Sequence, residues 1–145
     1  MKLRVWFSSS IAVGVTMFLV GLLFHISGPS LAPGFEQHYK NRDLFRNWNE
    51  WTSTYMMIHP FILAPVFSAI FLLLRKTSAL LTGIRYGLIY GAGVFFVGSL
   101  PIFLLAFASF QVPFEVIALW IVQNLFQYLA AGIALSVVVD GMTLR

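Results

Sequence analysis

The sequence predicts an all-α integral membrane protein, a four-helix bundle, from three observations. Hydrophobic residues make up 59% of the 145 positions and charged residues only 10%, against roughly 25% charged in a soluble domain. Mean hydropathy is +0.87, so there is too little polar surface to cover a water-soluble globule. The charges punctuate the chain and leave long apolar runs between them. The length fits a single membrane domain, residues 1–145. Together these exclude a soluble enzyme, a disordered chain and a nucleic-acid-binding domain. Cysteine is absent, so disulfides, thiolate metal sites and cysteine nucleophiles are excluded too.

The charge-free runs are Val5–Phe24 with 20 residues, Trp51–Leu74 with 24, Tyr86–Phe114 with 29 and Val116–Val139 with 24. A helix needs about 20 apolar residues to cross the bilayer core. Backbone groups in lipid must be satisfied within the segment, which makes each run a helix. The third run is too long for one simple span and holds Pro101 and the turn-like Ser109-Phe110-Gln111-Val112-Pro113. The spans are expected at about 5–26, 52–74, 83–107 and 114–139, with a hairpin between the last two. Ser27-Gly28-Pro29-Ser30 and Ala32-Pro33-Gly34 are expected to break the chain after the first span. That span has a longer apolar stretch than a signal peptide core and is expected to be retained.

Basic residues set the orientation. Four spans put both termini on one side, where Lys2, Arg4, Arg75, Lys76, Arg85 and Arg145 collect, against Lys40, Arg42 and Arg46 on the other. An N-in, C-in topology follows, with the loop 28–51 outside. The nine Lys and Arg therefore serve orientation, and no nucleic-acid partner is expected. Within the outer loop, Glu36 with Lys40 and Arg46 with Glu50 are spaced four apart, which supports helix. Leu44, Trp48, Trp51 and Tyr55 share a helical face. A short interfacial helix is expected from about 42, with Trp48, Trp51 and Tyr55 as headgroup-level anchors. It either docks a partner or senses lipid, or simply anchors the loop.

The third span carries the most specific packing signal: Gly83, Gly87 and Gly91 four apart, then Gly98. Small residues let helix backbones approach in lipid. Gly14 and Gly21 in the first span and Gly132 in the fourth, with Ser10 and Ser136, extend the pattern. The partner is another span of the same chain or a second subunit. Gly14 to Gly21 can be laid over Gly91 to Gly98, a match short enough to arise among apolar residues without duplication. Pro60, Pro65 and Pro101 each remove a helix hydrogen bond and invite a kink.

Few residues can do chemistry. Gln123, Asn124, Gln127 and Tyr128 form a polar set inside the fourth span. They hold helices together, with Thr16 and Ser68 as expected partners, or they bind a polar substrate, a quinone carbonyl or a lipid headgroup. At least two of the three amides are expected to point inward and bond to neighbouring helices. His25 and His59 are weak candidates for a bis-histidine haem or, with His38 and Glu36, for an outer metal site. No pair of ligands at helical spacing supports either reading, and no cofactor is expected. No acidic residue lies in the interior of a span, Glu115 standing at the entrance of the fourth and Asp140 at its exit, which argues against a proton-coupled antiporter. GxSxG and HExxH are absent.

His25 to Pro29, Gly83 to Leu88, Trp120 and Gln127 to Gly132 together resemble the layout of a loosely defined family of small four-helix bacterial inner-membrane proteins. Ile26-Ser27 departs from its first turn. The resemblance implies a bacterial inner membrane and a four-helix fold, and it implies no activity. The leading expectation is a non-catalytic accessory, assembly or scaffold subunit, in contact with lipid and with other membrane subunits or copies of itself. An oligomeric transporter or channel comes second, and a haem- or quinone-binding redox subunit third.

Overall fold

In the computed structural model the four apolar runs are helices. The structure describes residues 3–31, 35–41, 45, 50–77 and 83–143. Helix α1 is Leu3–Leu31, α2 is Phe35–Lys40 and α3 is Glu50–Thr77. Helix α4, Gly83–Val94, continues through one π turn, Phe95–Ser99, into α5, Leu100–Ser109, and α6 is Phe114–Thr143. Four of these segments are long and apolar enough to cross a membrane: Leu3–Leu31, Thr54–Lys76, Gly83–Ser109 and Phe114–Met142. No strand occurs among the described residues.

The first helix differs from expectation. It runs through Ser27-Gly28-Pro29-Ser30 to Leu31 instead of breaking there. Proline normally disfavours helix at the residue before it, partly by clashing with that residue's Cβ. Here that residue is Gly28, which has none. Ser27 Oγ also donates to the Leu23 carbonyl at 2.8 Å, within the same turns. At about 1.5 Å per residue its 29 residues exceed a hydrocarbon core of about 30 Å.

The segment between α1 and α3 holds α2, which covers positions Glu36 and Lys40. The expected interfacial helix falls mostly on 42–44 and 46–49, outside the described residues, and Trp48 with it. Trp51 and Tyr55 are exposed on the first turns of α3. Pro101 has its expected effect in a particular form. It lacks the N–H that would bond to the Val97 carbonyl, and the turn before it widens, with Leu100 N–H bonding five residues back to Phe95 O. At the far end of α5, Phe110 is extended (φ −122°, ψ 149°), and Val116 N–H donates to the Pro113 carbonyl to start α6.

α1 packs against α3 on one side and α6 on the other, and α6 packs against α4. Between α3 and α4 the gap is filled by rings instead of backbone contact. Phe67 meets Tyr90 at 4.7 Å, and Phe71 meets Tyr86 at 4.9 Å and Tyr90 at 5.1 Å. The cyclic order is therefore α3, α1, α6, α4. The core combines Val13 and Met17 of α1, Ala64, Phe67 and Phe71 of α3, and Ala131, Leu135 and Val139 of α6. In lipid such a core is held by van der Waals fit and interhelical hydrogen bonds, because lipid tails are as apolar as leucine.

Candidate functional site: the polar stripe of α6

α6 turns a different chemistry to each neighbour. At about 100° per residue, Gln123 and Gln127 share the flank facing α1. Gly132 and Ser136 share the flank facing α4. Asn124, Tyr128, Ala131 and Leu135 form the stripe between them, facing the bundle axis, and Val122, Phe126 and Val137 are exposed on the opposite side.

On the α1 flank, Gln127 is buried, and its Nε2 donates to the Met17 carbonyl at 2.9 Å. Gly21 makes this possible. It lies four residues after Met17, where a side chain would cover that carbonyl. A Cβ on Gly21 would sit 2.7 Å from Gln127 Nε2 and 3.8 Å from Gln123 Nε2. The sequence expectation named Thr16 and Ser68 as partners; the bond goes to backbone instead. Ser68 Oγ is buried without a hydrogen-bond partner among the described residues. Asn124 also differs from expectation, since its Nδ2 bonds within α6 to the Trp120 carbonyl at 3.1 Å. Of the three amides, Gln127 alone shows a bond to a neighbouring helix among the described residues. Tyr128 stacks on Phe67 of α3 with centroids 5.8 Å apart and planes at 21°. Tyr90 completes this layer by donating its hydroxyl to the Phe67 carbonyl at 2.6 Å.

On the α4 flank two backbones touch. A Cβ on Gly87 would overlap the Gly132 carbonyl and lie 2.6 Å from Ser136 Oγ, and a Cβ on Gly91 would overlap the Tyr128 carbonyl. Gly132 meets the Gly87 carbonyl in return. Gly83 and Gly98 stand outside this seam, with nothing within 4 Å of an added Cβ; Gly83 has φ +68° and opens α4. Gly14 faces the Phe61 ring, 2.7 Å from its added Cβ.

Among the described residues no group of three or more His, Asp or Glu could hold a metal ion. His59 has a local task. Pro60 supplies no N–H to the Met56 carbonyl, and His59 Nδ1 lies 3.2 Å from that oxygen. The carbonyl only accepts, so Nδ1 carries the proton in this contact. His25 is exposed on α1.

Sequence reasoning missed two connections. Arg75, at the end of α3, forms an ion pair with Asp140, near the end of α6. The Arg75 guanidinium also lies 5.9 Å from the Phe71 ring centroid. Trp6 Nε1 donates to the Pro65 carbonyl at 3.0 Å, tying α1 to α3. A signal for the ion pair existed: both residues close apolar runs at the end that carries the termini. Comparison with family models, curated proteins and solved structures finds no match.

Proposed function

We propose that this chain is a non-catalytic multi-pass protein of the bacterial inner membrane, N-in and C-in, and an accessory, assembly or scaffold subunit of a membrane complex. The observation that carries this reading is α5: none of its residues is buried against the rest of the chain. Ile102, Leu104 and Leu105 all face outward. The rest of the bundle commits its polar and small residues to internal contacts, through Gln127 with Met17, Tyr90 with Phe67 and Gly87 with Gly132. That division suits a unit which holds itself together through one set of residues and offers another to a neighbouring subunit.

Photocrosslinking in the native membrane tests the reading. A photoreactive residue at Leu105 should trap a protein partner, while one at Val122 on the outward side of α6 should trap mainly lipid. Lipid adducts alone at both positions would overturn it. The second reading, an oligomeric carrier or channel, is favoured by the placement of Asn124 and Tyr128 on the stripe facing the bundle axis.

A further inference from the structure

Among the described residues the bundle is tightly packed at the end carrying the termini and less so near its middle. Ala131 and Leu135 on the axial stripe of α6 are fully buried, whereas Asn124 and Tyr128 on the same stripe are only partly so. The opening lies on the side of α3 and α5. Thr54 to Ile58 of α3 are all exposed, and α5 buries none of its residues. No aromatic layer among the described residues joins α3 to α5 as Phe67, Phe71, Tyr86 and Tyr90 join α3 to α4. The stacked Phe67–Tyr128 pair floors this opening. Above it, Trp120 meets Phe103 at 6.4 Å and Phe45 of the outer loop at 6.0 Å, and α2 lies against α1 and α6.

We propose that this lateral opening binds a lipophilic quinone-class molecule, with Asn124 and Tyr128 as the donors to a ring carbonyl. Depth selects the class. Asn124 lies four to five residues from the midpoint of α6, Phe114–Thr143, or about 7 Å along the helix, well inside a core of about 15 Å half-thickness. A phospholipid has only methylenes at that depth, because its esters stay at the interface. An amide facing methylenes gains no bond for its loss of water. A quinone carries acceptor oxygens on an apolar ring and enters hydrocarbon with its tail. Asn124 has two N–H donors; one goes to the Trp120 carbonyl, and the other shows no partner among the described residues and is the one offered to a ligand. The half-buried Tyr128 ring, backed by the buried Phe67 ring, borders the site, and entry is sideways from the lipid.

The test uses the full chain in lipid nanodiscs, with a decyl-tailed 1,4-benzoquinone as probe and decylbenzene as the carbonyl-free control. The expected result is a saturable rise in Tm with the quinone and none with decylbenzene. Asn124→Leu should raise the half-saturating concentration at least tenfold, while Val122→Leu on the lipid side leaves it unchanged. Should Asn124→Leu fail to fold, Tyr128→Phe, which keeps the ring and its stacking, decides by the same measure with an expected loss of threefold or more. An equal response to decylbenzene, no response to the quinone, or wild-type half-saturation in the folded Asn124 or Tyr128 variant that decides the test would overturn the proposal.

Discussion

At the scale of single residues, the bond from Gln127 to the Met17 carbonyl depends on what is missing at Gly21. Gln127→Leu keeps the volume and removes the bond. It should cost about 0.6–2 kcal/mol, the range for interhelical bonds in lipid, read as a modest fall in Tm in detergent. Gly21→Ala sets a methyl 2.7 Å from Gln127 Nε2, the movable end of a flexible side chain, so its cost should not exceed that of losing the bond. A loss well beyond about 2 kcal/mol would show that backbone, not the amide, meets the new methyl. The spacing of Gln123, Asn124 and Gln127 made a polar stripe legible, but not the partner of Gln127. A backbone carbonyl uncovered by a glycine leaves no mark in a pattern of polar side chains.

The Arg75–Asp140 pair belongs to the same scale and makes a second prediction. The side chains are 20% and 28% exposed, so their coupling should lie between the ~1 kcal/mol of surface pairs and the ~3–5 kcal/mol lost on breaking buried ones. A double-mutant cycle with Arg75→Ala and Asp140→Ala measures it. Exchanging the two, Arg75→Asp with Asp140→Arg, should recover part of what either charge reversal loses alone. Strict additivity would refute the coupling.

At the scale of elements, the helices were legible because charges interrupt the apolar runs, and their ends were less so. Pro29 reads as a stop in sequence, yet α1 passes through it, since Gly28 spares the clash that usually ends a helix there. The glycine stripe was legible for Gly87 and Gly91 but failed at Gly98. The π turn at Phe95–Ser99 places more residues in one turn and rotates all that follows off the original face. This yields a contrast within one span. Gly87→Ala should destabilise the bundle by about 1–3 kcal/mol, as overpacking does, because its methyl meets the Gly132 backbone. Gly98→Ala meets nothing within 4 Å and should be neutral. Equal thermal stability of the two variants would contradict close packing of α4 on α6.

At the scale of the whole molecule, an even number of spans puts both termini on one side, and the proposed N-in, C-in orientation rests on the split of basic residues. A C-terminal fusion to a reporter active only in the cytoplasm should be functional, and one active only outside should be silent. The opposite pattern would reverse the proposed orientation. In the proposed function the chain folds on its own polar and glycine contacts and acts by giving its outer surface to another subunit. The most direct measurement is the mass and composition of the particle drawn from native membrane into lipid nanodiscs. The account predicts the 16.3 kDa chain in fixed stoichiometry with an unlike membrane subunit. Particles holding this chain with lipid and no unlike subunit, at native expression levels, would contradict it.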